Sequence, residues 1–420
     1  MSEHQGRHDV IIIGAGPSGA VAAALLNKRG YKVLVIEKSY FPRFSIGESL
    51  LPQCMQFLED AGLLSVVEQA GFQSKNGAAF SRGDEYDYFD FREKLTPGYG
   101  TTYQVRRDKF DKLLIDEAEA QGVQVTYGHT VTDFELHTDG VLLTVTDEAL
   151  SEYRLQADFV LDASGFGRVL PRLLGLDKPS AFESRTSVFT HVEDRIDNQS
   201  FDREKILISV HPENQQIWYW LIPFSDGRAS VGVVTPPEVL ENLSGSDLEK
   251  LKTLIGVADF KADLLGDAVF DSEVGKIQGY ACDVEQLYGE RFALLGNAGE
   301  FLDPVFSSGV TIALKSATLA VQTLDQHLSG LEPDWQEQFA DPLQKGIDTF
   351  RNFVEGWYDG RLQDVIFSAE KNPAVSEMIS SILAGYAWDD KNPFVKNPAR
   401  LSVLAELCRN AERGKQADDR

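Results

Sequence analysis

The stretch "DVIIIGAGPSGAVAAALLNKRGYKVLVIEK", residues 9–38, decides the fold. "DVIII" (9–13) has the length and β-branched content of a short buried strand. Gly14, Gly16 and Gly19 follow as G-x-G-x-x-G, with Ala15, Pro17 and Ser18 between them. A small-residue helix then runs to Gly30, and "YKVLVIEK" (31–38) reads as the next strand, completing a βαβ unit. Glycines here permit a tight turn and close backbone approach to a pyrophosphate, whose charge the helix N-terminus stabilises. Glu37 ends the second strand, where it can accept from ribose hydroxyls. A glycine motif alone is weak evidence. Strand, helix and acid together fall where dinucleotide binding needs them.

Outward from this unit, "RDKFDKLLIDEAEAQG" (107–122) predicts a helix with Phe110, Leu113, Leu114 and Ala118 on one face. Residues 122–161 alternate polar and apolar around a "TDG" turn at 138–140, the pattern of a β-meander. "ADFVLDASGFG" (157–167) returns to a buried strand and a glycine turn. From about 180 to 280 longer alternating segments, "RTSVFTHV", "KILISVH", "QIWYWLIPF" and "RASVGVVT", predict a mostly antiparallel sheet. "RFALLGNAGEF" (291–301) has the form of a βα return to the first unit, and residues 310–330 and 335–410 are largely helical. The tail "RNAERGKQADDR" (409–420) is polar and expected to fray. There is no internal repeat. The expected division is an α/β dinucleotide-binding domain from residues 1–178 and 281–330, an antiparallel-sheet substrate domain at 179–280, a helical region at 331–410 and a polar tail at 411–420.

A formal charge of −25 repels nucleic-acid phosphates and anionic membrane surfaces, so neither is an expected partner. Cys54, Cys282 and Cys408 lie far apart, without metal-ligand spacing, and their odd, sparse count suits a reducing cytosol. The apolar run 10–26 mimics a signal peptide, but a glycine turn interrupts it and its basic flank is weak. No other stretch approaches the roughly 18 uninterrupted apolar residues of a membrane helix. The expectation is a soluble cytoplasmic protein.

The glycine motif does not separate NAD from FAD. "RRDKFDKLL" (106–114), with Arg107 before a helix, and the second glycine turn "LLGNAGEFLDP" (294–304) favour FAD. A single nucleotide fingerprint leaves no separate NAD(P)H domain in evidence. With these segments, the chain resembles flavin-dependent halogenases within the FAD monooxygenase superfamily, over most of residues 8–410. The resemblance rests on "GAGPSG", "GESLLP" (47–52), "GFQSKNGAAF" (71–80), "QVRRDKFD" (104–111), "DASGFGR" (162–168), "WYWLIP" (218–223) and "GNAGEFLDPVFSSGV" (296–310). "GAGPSG" and "DASGFGR" are superfamily-wide; the lysine segment, W-x-W-x-I-P and "DPVFSSGV" together are far more specific. The aromatic segments "FVEGWYDGRLQDVIFSA" (353–369) and "LAGYAWDDKNPF" (383–394) look like the branch acting on phenols, pyrroles or carrier-bound acyl groups.

The resemblance implies an FAD-binding fold of the glutathione-reductase and hydroxybenzoate-hydroxylase type. It implies reduced FAD supplied by a separate flavin reductase, a halide ion (chloride or bromide), a small aromatic substrate and, in some members, an acyl or peptidyl carrier protein. Lys75 matches the lysine that receives hypohalous acid, and burial among small apolar groups would lower its pKa. On composition alone it reads as a surface loop lysine; the matching flanks reverse that. Trp218 and Trp220 match the wall between flavin and substrate, and their i, i+2 spacing puts both on one face of a strand. A pair of core tryptophans satisfies the same spacing. Ser308 and Gly309 match the halide site at a helix N-terminus, where a simple helix cap is the plainer alternative. Flavin contacts are implied for Gly14, Ala15, Gly16, Pro17, Ser18, Gly19, Glu37, Lys38, Arg43, Ser49, Arg107, Asp162, Gly296, Asp303, Gly309 and Val310. Two departures stand out. Phe306 replaces the glutamate of the tryptophan-halogenating branch, which favours an electron-rich phenol or pyrrole, and Asn297 replaces the aspartate common in monooxygenases. A hydroxylase or prenyl-type reductase without halide chemistry, and a non-catalytic flavin-binding protein, remain as alternatives.

Overall fold

The computed structural model describes residues 6–197, 201–257 and 264–418. Its first sheet has at its centre the strand Arg7–Ile13, flanked in parallel by Val33–Glu37 and Glu152–Asp162. Gln124–Tyr127 extends the sheet beyond Val33–Glu37, and Phe292–Leu294 and Tyr288–Gly289 extend it beyond Glu152–Asp162. Near-continuous apolar runs such as "VIII" and "VLVI" fit strands covered on both faces. The helices Pro17–Lys28 and Ser308–Leu328 pack against each other on this unit. The alanine run of the first helix lets the second approach closely.

The expected meander over 122–161 is smaller than its sequence pattern. Gln124–Tyr127 pairs in parallel with Val33–Glu37, and the antiparallel part begins at Thr130–His137 and continues through Gly140–Thr146. Glu152–Asp162 serves both arrangements. Its first half pairs antiparallel with Gly140–Thr146, and from Gln156 onward it runs parallel to Arg7–Ile13. Alternation looks the same in both settings, which is why the boundary was not visible in the sequence.

The second sheet runs, in spatial order, Gly275–Gln278, Thr186–Glu193, Arg228–Thr235, Asn214–Pro223, Lys205–His211, Gly77–Arg82 and Glu85–Asp90. Its pairings are antiparallel except that of Lys205–His211 with Gly77–Arg82. Residues 77–90, which the sequence pattern assigns to the dinucleotide unit, are therefore strands of this second sheet. Gly77 permits the close pairing, since a Cβ there would lie 2.2 Å from the Phe89 carbonyl oxygen.

The C-terminal helix Asp341–Tyr358 buries Leu343, Ile347, Phe350, Val354 and Trp357, an apolar stripe at helical spacing. These residues share one core with Trp218, Trp220 and the first unit's Val10 and Ile12. The last helix, Arg400–Asp418, takes in most of the segment expected to fray; its backbone stays helical through Asp418. Arg409 reaches Asp364 from it. Among the described residues, no helix is long and apolar enough to cross a membrane.

Candidate active site

The strand Arg7–Ile13 ends at Gly14, whose N–H donates to the Ile36 carbonyl at 2.8 Å and whose φ is +99°. A Cβ at Gly14 would lie 2.6 Å from the Ala163 oxygen, and one at Gly19 would lie 2.0 Å from the Gly14 oxygen. These two glycines are demanded by the turn itself. Gly16 differs: among the described residues beyond its chain neighbours, a built Cβ would meet Arg43 Nη2 alone within 4 Å, at 3.6 Å. It opens onto a cavity of about 470 Å³ that runs from the glycine turn to the tryptophan strand. That volume is in the range of small-molecule sites.

Glu37 is buried at one end of this cavity, accepting from Ala15 N–H at 2.8 Å and Ser39 N–H at 2.9 Å. Arg43 stands 3.8 Å from the same carboxylate and 3.3 Å from Asp111. Arg107, the first residue of the helix Arg107–Ala120, forms a bidentate pair with Asp111 at 2.6 and 2.9 Å. Its third contact is the Ile46 carbonyl at 2.6 Å, so it holds the wall segment 46–47 in place.

At the middle of the cavity, Ser307 adopts φ +56° and turns the chain into the 21-residue helix Ser308–Leu328. Ser307, Gly309, Val310 and Ala313 line the cavity, so the positive end of this helix faces it. The far wall is the second sheet: Trp218, Trp220 and Ile222 alternate on one face of Asn214–Pro223, beside Ile206 and Ile208. Gly232 makes room for the indole of Trp220, since a Cβ there would lie 2.3 Å from Cζ2. Trp220 Nε1 donates to Ser230 Oγ at 3.0 Å, and Trp218 Nε1 donates to Tyr358 Oη at 2.9 Å.

Lys75 is the last residue of the short strand Gln73–Lys75 and is fully buried. Its ammonium donates to Ser49 Oγ at 2.7 Å and the Leu50 carbonyl at 2.8 Å, and lies 5.3 Å from the Phe91 ring centre. Burial pushes its pKa down to about 7. Ser49 is on the cavity wall and Lys75 stands one hydrogen bond behind it.

Among the other residues expected at the flavin, Pro17, Ser18 and Lys38 line the cavity. Ala15 is buried beneath the turn with its N–H on Glu37. Asp162 is directed elsewhere, accepting from Ser164 N–H at 2.9 Å and Leu170 N–H at 2.7 Å, and burial raises its pKa. Asp303 accepts from Val305 N–H at 3.0 Å and from the hydroxyls of Tyr280 (3.0 Å) and Tyr358 (2.8 Å). Gly296 packs against Ala313, with Asn297 taking the place on the wall. Ser308 is buried between the wall residues Ser307 and Gly309. Three residues escaped the sequence reading. Glu48 sits within the quoted "GESLLP" and lines the cavity. His191 shares a strand face with Phe189 and reaches Glu48. Tyr358 holds Trp218. Strand alternation marks the face of His191, but no local pattern marks its partner, 143 residues away.

A glycine turn open at Gly16, an acid at the second strand's end, and a cavity continuing to an apolar wall fit an extended dinucleotide with a flat ring system. Together they define a flavoprotein oxidoreductase. The family described as "FAD binding domain" matches residues 7–330. The 1H-pyrrole-2-carbonyl-[peptidyl-carrier protein] brominase of Pseudoalteromonas luteoviolacea is 30% identical, covering 93% of this chain and 94% of that protein. The corresponding chlorinase of Pseudomonas fluorescens is 29% identical over 96% of this chain and 94% of its own length. Among solved structures, a flavoprotein/dehydrogenase from Cytophaga hutchinsonii superposes with a TM-score of 0.94 at 45% identity, covering 97% of this chain and 100% of that one. A flavin-dependent brominase superposes at 0.79 with 25% identity, covering 98% and 100%. The chain belongs to the FAD-binding family and, within it, to the flavin-dependent halogenases. It is an FAD-dependent oxidoreductase.

Proposed function

We propose that this enzyme halogenates an electron-rich aromatic, a phenol or a pyrrole, using reduced FAD, oxygen and chloride or bromide. The observation that carries this reading is the buried Lys75 amine, with its pKa near 7, one serine from the flavin cavity. An amine poised between its charged and neutral forms can hydrogen-bond hypohalous acid or take its halogen. FAD, when bound and reduced, supplies the electrons that activate oxygen. Trp218 and Trp220 line the cavity on its second-sheet side, where they would keep a substrate beyond them from direct contact with the ring. Backbone N–H groups at Ser308 and Gly309 suit a halide. Phe306 offers no base, so the substrate must lose its proton readily, as a phenol or pyrrole does. A flavin reductase is the proposed source of FADH2. The pyrrole-carrier halogenases named above support an acyl or peptidyl carrier as the bearer of the substrate.

The test is turnover with FADH2, oxygen, and chloride or bromide against a panel of phenols and pyrroles, read by mass spectrometry. Lys75→Ala should abolish the halogenated product and leave reoxidation of reduced flavin intact. Halogenation by Lys75→Ala sinks the role of the lysine. A second reading, a flavoenzyme without halide chemistry, is favoured by the 45% identity to the flavoprotein/dehydrogenase. Products whose masses do not change with the halide would select it.

A further inference from the structure

We propose that Glu48 and His191 form a proton-relay pair serving the flavin cavity, with Glu48 meeting the bound group and His191 linking it to solvent. The proposal rests on the FAD and oxygen chemistry above, but not on halide use.

Glu48 is held rigidly at the wall. Val105 N–H donates to its carbonyl at 2.7 Å, Leu50 N–H donates to Tyr103 at 3.1 Å, and Arg107 binds the carbonyls of Ile46 and Gly47. The residue is 1% exposed. Its Oε1 lies 2.6 Å from His191 Nε2. Its Oε2 has no hydrogen-bond partner among the described residues, although Glu48 lines the cavity. A buried carboxyl oxygen without a partner is costly, and a group bound in the cavity would remove that cost. His191 retains 15% side-chain exposure, so the pair spans from the cavity toward solvent. The rings of Phe44 and Phe224 flank the imidazole at 6.0 and 5.3 Å and contribute no charge.

The other charged groups nearby are already engaged. Arg107 is paired with Asp111, and Lys75 with Ser49 and Leu50. Glu193, two residues along the strand from His191, pairs with Arg195 at 3.1 Å. Across the sheet His191 faces Ser230.

The proposed reaction needs such a route. Its balance is FADH2 + O2 + X⁻ + Ar–H + H⁺ → FAD + Ar–X + 2 H2O. The C–H and O–O bonds break, the C–X bond forms, oxygen is reduced, and one proton is consumed. Without halide the balance is FADH2 + O2 → FAD + H2O2, which consumes no net proton, but two protons leave the flavin and two reach oxygen, and a relay exchanges them with solvent. In the relay, Glu48 gives a proton from Oε2 and takes one back at Oε1 from His191, rotation of the carboxyl returns that proton to the cavity side, and solvent refills His191.

Enzyme carrying photoreduced FAD is mixed with oxygenated buffer, without halide or aromatic, and flavin absorbance is followed. Glu48→Gln should slow reoxidation by at least about tenfold while its dissociation constant for oxidised FAD stays near the wild-type value. His191→Ala should be slowed similarly and partly restored by added imidazole, which a loss of structure would not allow. Wild-type rates in both variants overturn the relay. So does a His191→Ala defect that imidazole leaves unchanged, or a Glu48→Gln enzyme that fails to hold FAD, which would make Glu48 an anchor. A failure of the halogenase reading appears only in product masses, so the two failures are distinguishable.

Discussion

Trp218 Nε1 donates to Tyr358 Oη at 2.9 Å, and Tyr358 in turn donates to Asp303 Oδ2 at 2.8 Å. This chain of bonds ties the cavity wall to the C-terminal helix and to the turn before Ser308. Burial and the neighbouring Asp303 hold the Tyr358 hydroxyl well above its ordinary pKa, so it stays a donor. Arg185 lies over the Tyr358 ring at 3.5 Å and fixes its plane. Tyr358→Phe should therefore destabilise the protein by about 1–3 kcal/mol, because Trp218 Nε1 is left buried without a partner and Asp303 loses a donor. Urea unfolding measures the cost. Repeating the change in a Trp218→Phe background should shrink it, and strict additivity of the two substitutions would disprove the coupling.

Lys75 makes a prediction with a definite sign. Its folded pKa, about 7, lies below the ordinary 10.5, so between these values the unfolded chain holds a proton that the folded protein gives up. Stability from this group therefore rises with pH across the window from 7 to 10.5, and its penalty is full below 7. Lys75→Met removes the titration. Relative to that variant, wild-type stability should rise by roughly 4–5 kcal/mol across the window. Denaturant midpoints at several pH values, compared between the two proteins, give the answer. A difference independent of pH would mean the buried amine keeps its ordinary affinity for protons.

The glycines of the first turn separate folding from binding. Gly16 has φ −72°, and the nearest atom to an added Cβ is the end of a flexible arginine, 3.6 Å away. Gly16→Val should fold with an unchanged melting temperature and lose FAD affinity by about 100-fold or more, since its side chain fills the path of the pyrophosphate. Gly19→Ala forces a Cβ to 2.0 Å from the Gly14 oxygen and should destabilise the fold itself. Fluorescence titration with FAD and thermal melts read the two effects apart. Normal FAD binding by a folded Gly16→Val protein would remove this turn from the pyrophosphate site.

Much of this architecture is legible because its signals are local. The G-x-G-x-x-G turn, Glu37 and the alternation of Trp218 with Trp220 are each set within a few residues. What the sequence hides is pairing at a distance. Nothing near Gly77–Arg82 says that it will join Lys205–His211, because a small-residue strand fits either sheet. Asp162 and Asp303 have the residue type of ribityl ligands, yet both carboxylates turn to backbone N–H groups beside them. From composition Lys75 reads as a surface loop lysine, and its burial depends on Ser49 and Phe91 arriving from other segments.

A substrate borne by a carrier protein would need a basic surface on which that carrier docks. Lys391 precedes the helical turn Pro393–Lys396, Lys396 ends it and Arg400 starts Arg400–Asp418, all three exposed in a chain whose net charge is −25. Asn392 caps that turn by accepting from Phe394 N–H at 3.0 Å and donates to the Met378 carbonyl at 2.7 Å. The three cations therefore ride on a fixed backbone beside the aromatic helices. Carrier proteins are typically acidic, and an acidic enzyme needs a local basic patch to receive one. Reversing all three residues to glutamate should raise KM for a carrier-tethered substrate by about tenfold at low salt, with a smaller effect at high salt, where the attraction is screened. Turnover of the same aromatic offered free should not change, because the fold and the cavity are untouched. Steady-state kinetics with both substrates at two ionic strengths decides the matter. Equal effects on the two substrates, or none on either, would leave these residues as a solvated turn and a free small molecule as the substrate.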